Sequence, residues 1–129
     1  MVQLFKAADA FVLPSRGEGW GLPVMEAMAM ALPTISTNWS GPTDFLSNEV
    51  GYLVPVSEMI LHEDWKTTGK LAQPSVVHLK EIMREVFTKR KEAQLKGNKA
   101  RQHIIKNFSK EAVAEILIQH FQRIKKILK

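Results

Sequence analysis

Apolar positions change their spacing along this chain. Between Ala10 and Val56 they come in short runs: "AFVL", "PTIST" and "YLVPV", each bounded by proline, glycine or asparagine. Runs this short, rich in β-branched residues and closed by turn formers, read as three strands. Ahead of them "LFKAAD" reads as the end of a short helix, and a further helix is predicted from about Pro23 to Ala31. "NWSGPTDFL" is a loop leading into a short helix near Pro42, and "NEVG" signals a turn. Residues 57–73 follow neither period and are predicted to be an irregular connection.

From residue 74 onward the spacing is helical. Val76, Leu79, Met83 and Val86 share one face, and a polar helix follows from about Arg90 to Asn107 with Gly97 as its weak point. The last helix runs from Ser109, a good N-cap, to about Leu128. Glu111 suits its positive end, and Lys125, Lys126 and Lys129 its negative end. Its stripe of Val113, Ile116, Leu117, Phe121, Ile124 and Leu128 predicts packing against a partner surface.

Strands alternating with helices predict an α/β fold with a parallel sheet. The expectation is a partial Rossmann-like three-layer sheet with a helical C-terminal region. Residues 1–129 then form a single partial domain: an α/β segment over 1–56, the connection over 57–73 and helices over 74–129.

Composition narrows the function classes. Hydrophobic residues at 45% and charged residues at 24% describe a globular chain, and the absence of cysteine excludes a disulfide framework. No apolar stretch is long enough to span a bilayer, and no signal peptide is expected, since residues 1–15 lack a basic start followed by an apolar block. A cytoplasmic location is expected, with peripheral membrane attachment left open. Charge is lopsided: residues 89–129 hold 12 Lys/Arg against 3 Asp/Glu, whereas residues 1–88 hold 6 against 10. A solvated helical face accounts for this, as does an anionic partner. Nucleic acid is disfavoured as that partner, because only Phe108 and Phe121 interleave the basic stretch and both are expected in the core. No metal site is expected, since His62, His78, His103 and His120 are scattered.

The candidate chemistry lies in "RGEGWGLPVMEAMAM", directly after the strand "AFVL", and so where ligands of open α/β sheets bind. Gly17, Gly19 and Gly21 let backbone approach a ligand, and Pro23 suits the start of a helix. The amides of Gly21 and Leu22 then point forward without intrahelical partners, which makes an anion site. Glu18 sits in the glycine turn, and Glu26 is expected in the first helical turn, leaning back towards its start. Carboxylates there do not neutralise a phosphate, but they accept hydrogen bonds from paired hydroxyls. A ligand carrying both phosphate and hydroxyls, such as a nucleotide sugar, fits. Taken singly, Glu26 is also a residue that complements a helix dipole, Glu18 a solvated loop residue and Trp20 a packing anchor.

The stretch from Ala7 to Pro55 resembles the donor-binding segment of retaining glycosyltransferases of family 4, which have the GT-B fold. The family's E-x7-E motif is matched by Glu18 and Glu26, its G-F/W-G-L turn by Gly19-Trp20-Gly21-Leu22, and its strand entry by Met30-Ala31-Leu32-Pro33-Thr34-Ile35. Phe108-Ser109 through Ala114 is similar to the pattern of the family's C-terminal helix. The resemblance implies that Glu18 is the catalytic-site residue, binding the donor sugar's hydroxyls without acting as nucleophile. It implies that Glu26 binds the ribose, and that the backbone over Gly19, Trp20, Gly21 and Leu22 approaches sugar and phosphate. No cofactor is implied, the nucleotide sugar being a substrate.

Two features depart from the family's pattern. Its G-G-x-x-E is here Ser40-Gly41-Pro42-Thr43-Asp44, and its upstream basic residues for the diphosphate have no counterpart. The expected function is therefore the C-terminal donor-binding part of a retaining glycosyltransferase, with an N-terminal acceptor-binding domain supplied by upstream chain or a partner. Alone, such a part is expected to be inactive. The alternative is a non-catalytic, truncated interaction module. An anionic membrane surface is the expected charge partner, from the apolar stripe beside Arg123, Lys125, Lys126 and Lys129.

Overall fold

The computed structural model describes residues 2–61 and 69–128. A short helix α1 (Val2–Lys6) leads into strand β1 (Phe11–Leu13), helix α2 (Leu22–Ala29) and strand β2 (Thr34–Thr37). A 3-10 turn (Gly41–Asp44), strand β3 (Tyr52–Val54), strand β4 (Val56–Leu61) and strand β5 (Lys70–Pro74) follow. Three helices complete the chain: α3 (Val76–Thr88), α4 (Arg90–Phe108) and α5 (Lys110–Ile127).

Strands β1, β2 and β3 make a parallel sheet in that order, with Val12 opposite Ile35 and Ile35 opposite Tyr52. The period of two sorts their side chains onto two faces. Phe11, Leu13 and Leu53 pack with Val24 and Met28 of α2 and with Ala100 and Ile104 of α4. Val12, Ile35, Tyr52 and Val54 pack instead with Leu79, Ile82 and Val86 of α3 and Ala93 of α4. Helices thus cover both faces, which is the three-layer α/β arrangement the sequence predicts.

The central strand β2 is buried throughout although three of its four residues are polar. Burial is tolerated because each hydroxyl is satisfied. Thr34 Oγ1 donates to the Leu32 carbonyl (2.9 Å), Ser36 Oγ to Leu13 (3.1 Å) and Thr37 Oγ1 to Ser15 (2.6 Å). The last two tie the carboxyl end of β1 to β2.

Gly97 corrects its sequence reading. It is buried, and a Cβ there would overlap the Ala31 carbonyl oxygen. The residue predicted to weaken α4 is thus the point where α4 lies directly on the end of α2. On either side of it Gln94 Nε2 (3.1 Å) and Arg101 donate to the Ala31 and Ala29 carbonyls, satisfying groups that a helix end leaves open. Ala31 itself sits at φ 60, with Leu32 N–H bonded to Ala27 (3.1 Å) in a left-handed helix ending.

Three further expectations change. Within 57–73, residues 57–61 and 70–73 belong to an antiparallel hairpin of β4 and β5, while residues 62–68 lie outside the described residues. β4 is open to solvent over most of its length, so no apolar alternation marked it. Helix begins at Val76, not at Pro74, which closes β5 opposite Val56. On α3, Leu79, Ile82 and Val86 face the sheet, whereas Val76 and Met83 are exposed.

Helix α5 starts as predicted, with Ser109 Oγ accepting the Ala112 amide (3.2 Å), but buries none of its residues. Its stripe faces solvent, Phe121 included. The expectation that Phe121 lies in the core is therefore overturned, while Phe108 packs inside against Phe45 (6.1 Å). No described helix is long and apolar enough to cross a membrane.

Candidate functional site

The carboxyl edge of the parallel sheet carries two loops of similar construction. After β1 comes Pro14–Gly21, and after β2 comes Asn38–Ser40. Each ends in a helical turn with proline in its first two positions and no side-chain cap. Leaving a helix start without a side-chain cap forgoes some stability, roughly a few tenths of a kcal/mol where the N-cap is glycine, as in α2. It also leaves amides free for a ligand.

In the first loop, Gly21 is the N-cap of α2 with φ 88 and ψ 46, a left-handed conformation that favours glycine. Among the described residues, the amides of Gly19, Trp20, Gly21 and Leu22 have no hydrogen-bond partner. A Cβ on Gly19 would meet nothing within 4 Å, so this side of the loop is open. Trp20 takes the packing role: its ring lies 5.5 Å from Phe45 and 6.1 Å from Phe108 and pins the loop to the end of α4. Leu22 is exposed beside it.

The second loop braces the first. Ser40 Oγ accepts the Glu18 amide at 2.9 Å, and the Gly41 amide donates to the Glu18 carbonyl at 3.4 Å. A Cβ on Gly41 would lie 2.7 Å from the Trp20 Cα, and one on Gly21 would lie 2.7 Å from the Pro42 ring. Both glycines therefore serve the approach of one loop to the other. Ser40 adopts φ 57 and ψ −153, a conformation close to glycine-only territory that costs about 1–3 kcal/mol. It is held there by Thr43, whose amide (3.0 Å) and hydroxyl (2.7 Å) both donate to the Ser40 carbonyl. From the other side the hairpin supports the loop, with the Ala72 amide donating to Arg16 (2.9 Å) and Leu71 against Gly17.

The glutamates differ in setting. Glu18 is half-buried in the braced loop, and Glu26 is exposed on α2. The first turn of α2 holds no acidic residue, so Glu26 lies one residue further along than expected, just past that turn. The cause is the helix start at Leu22, which puts Pro23 second. Neither carboxylate has an ion-pair or hydrogen-bond partner among the described residues. No cluster of metal-ligating side chains occurs among the described residues.

Sequence reasoning missed two contributors, Ser40 and the hairpin. The signal for Ser40 was present: "SGP" after a strand repeats the plan of "GLP" after the previous one. Nothing comparable marked Leu71 and Ala72, because contacts across 54 and 56 residues leave no local trace.

A three-layer α/β unit with a glycine loop and an uncapped helix at the carboxyl edge of its parallel sheet is of the Rossmann-like class. Within that class, the chain belongs to the family described as glycosyl transferases group 1, whose profile matches residues 1–66. It is 39% identical over 57 residues to a UDP-Gal:alpha-D-GlcNAc-diphosphoundecaprenol alpha-1,3-galactosyltransferase of Escherichia coli, a match covering 43% of this chain and 15% of that one. It is 35% identical over 66 residues to a D-inositol 3-phosphate glycosyltransferase of Saccharomonospora viridis, covering 50% of this chain and 15% of that one. The fold matches a sucrose-phosphate synthase from Thermosynechococcus elongatus with a TM-score of 0.70 and 24% identity, over 96% of this chain and 27% of that one. The chain thus spans about 15% of the length of these curated relatives.

Proposed function

We propose that this chain is the donor-binding, C-terminal part of a retaining family 4 glycosyltransferase. The observation that carries the reading is the loop from Glu18 to Leu22. There four consecutive amides without partners adjoin a half-buried carboxylate that nothing in the described chain satisfies. In this reading the donor's diphosphate lies against the amides of Gly19–Leu22 and the start of α2. Glu18 accepts hydrogen bonds from the sugar's hydroxyls, and Glu26 accepts them from the ribose. Residues 1–56 carry this site, and α3 and α4 join α2 in covering the faces of the sheet. No cofactor or metal enters the scheme.

The reaction follows from that placement. The bond between the anomeric carbon and the diphosphate oxygen breaks, an acceptor hydroxyl bonds to the same face of that carbon, and its proton passes to the departing phosphate. Positive charge grows on the sugar and negative charge on the leaving group, so fixed amide dipoles on the diphosphate stabilise the transition state. Glu18 is a hydroxyl binder, not a nucleophile. Turnover also needs an acceptor-binding half, on the same polypeptide or another, and the 129-residue chain alone is inactive in this scheme. The reading places the protein in the cytoplasm, with α5 resting on an anionic membrane surface and no nucleic acid partner. Its support is the exposed apolar stripe beside Arg123, Lys125 and Lys126.

Calorimetric titration with UDP, GDP and ADP and their glucose or mannose conjugates tests the site. Glu26→Gln is expected to weaken both the diphosphate and the sugar conjugate about tenfold, the scale of a charge-assisted hydrogen bond. Glu18→Gln is expected to spare the diphosphate and weaken only the conjugate. Equal losses for both ligands in both variants would overturn the division of roles, and no binding by the unmodified chain would overturn the function.

A further inference from the structure

Ser40 occupies a backbone conformation, φ 57 and ψ −153, that a glycine would hold without strain. Its strain is not relieved by its neighbours but fixed by them, through the two bonds from Thr43 to its carbonyl. What the serine adds over glycine is one hydroxyl, and that hydroxyl accepts the amide of Glu18 at 2.9 Å. The adjoining Gly41 amide donates to the Glu18 carbonyl at 3.4 Å, so both sides of the Glu18 peptide unit are tied to the second loop. Elsewhere the Glu18 loop is anchored two residues later, by Trp20 on Phe45 and Phe108, and one residue earlier, by Leu71 against Gly17. Glu18 itself, flanked by Gly17 and Gly19, has little intrinsic stiffness.

We propose that Ser40 is a positioning residue, a strained backbone position whose hydroxyl holds Glu18 in place for the donor sugar. The inference rests on the reading that Glu18 faces that sugar. It adds that the geometry of Glu18 is set from the neighbouring loop, at the expense of local stability. Strain retained at a site where only a hydrogen bond to a ligand-facing residue is gained is the pattern expected of preorganisation.

The two simplest substitutions separate the roles. Ser40→Gly removes both strain and hydroxyl, and Ser40→Ala removes the hydroxyl while keeping a side chain at the unfavourable φ. The glycine variant is expected to melt higher than the unmodified chain, and the alanine variant lower. In both, hydrogen exchange at the Glu18 amide speeds up. In both, affinity for the nucleotide sugar that the unmodified chain prefers falls about fivefold, the scale of one hydrogen bond, while affinity for the matching diphosphate stays within about twofold. A glycine variant that melts higher and binds the sugar conjugate unchanged would show Ser40 to be structural only. Parallel losses for diphosphate and conjugate would equally overturn the inference. If the unmodified chain binds no nucleotide sugar, it is the functional reading that fails, and this inference falls with it. If binding persists but Glu18 amide exchange is unaltered in both variants, this inference fails alone.

Discussion

Helix α2 buries Val24, Ala27 and Met28 within 8 residues, whereas α5, with 18, buries none. The two are held by different physics. α2 lies between the sheet and α4, with Met28 sealed among Phe45, Leu46, Ala100 and Ile104. α5 touches the rest of the molecule through α4, and its order rests on its Ser109 cap, on Glu111 near its start and on Lys125 and Lys126 near its end. Isolated helices of this length are marginal in water, so such terms matter to α5 and hardly to α2. A clean apolar stripe therefore predicts that a helix has a partner surface, not that the partner lies within the chain. The stripe on α5 exposes Ile116, Leu117, Phe121 and Ile124 together, and a continuous patch of this kind marks an interaction face.

The sharpest test of the contrast is a pair of truncations of similar size. Met28→Ala leaves a cavity in a closed site and is expected to cost about 3 kcal/mol in denaturant unfolding, from the range for large-to-small core changes. Ile124→Ala, half-exposed on α5, is expected to stay within about 0.5 kcal/mol, as surface changes do. Comparable losses from the two would mean that α5 is covered in solution and that the comparison is false.

The contact between α2 and α4 gives an intermediate effect. Gly97→Ala raises helix propensity by about 1 kcal/mol, yet its methyl group meets backbone atoms of Ala31 and Leu32 that have no room to yield. Overpacking of this kind costs about 1–3 kcal/mol, and displacing α4 would also loosen the bonds from Gln94 and Arg101 to the end of α2. The expected net loss is about 2 kcal/mol, read as a lowered midpoint at unchanged slope. A stabilised variant would restore Gly97 to the role of a mere weak point.

Gly97 also illustrates what is legible in a sequence of this kind. The three parallel strands, α2 and the glycine loop were legible because each carries a local signal: an apolar run, a proline, a turn residue. The cap of α5 at Ser109 was legible for the same reason. Gly97, the hairpin and Ser40 depend on what lies opposite them, and residues 66, 54 to 56 and 22 positions away in the chain decide their roles. Their sequence reading was a propensity, and tertiary contact overrode it. Glu26 was placed on the right helix but one position too early, since its helix starts at Leu22 rather than at Pro23.

The smallest expected effect bears on what covers α5. If the stripe rests on an anionic membrane, apolar side chains enter the interface and the lysines near the helix end attract the surface charge. Removing one of them, by Lys125→Ala, is then expected to lower partition onto phosphatidylserine-containing vesicles by about 1 kcal/mol, roughly fivefold, at low salt. The same change should have little effect on vesicles of phosphatidylcholine alone, where only the apolar term acts. Raising ionic strength should erase the difference between the two compositions, because the attraction reaches only about a Debye length from the surface. Phe121→Asp serves as the apolar counterpart and is expected to abolish both, since Phe121 stands 67% exposed in the middle of the stripe. Sedimentation with the two vesicle types, set beside a DNA mobility shift at matched salt, separates the possible partners. Tighter binding to DNA than to anionic vesicles would assign the basic face to nucleic acid. Binding to neither, with the chain self-associating as concentration rises, would make the partner of α5 another protein surface, and the difference between α2 and α5 would then be one between an internal and an intermolecular core.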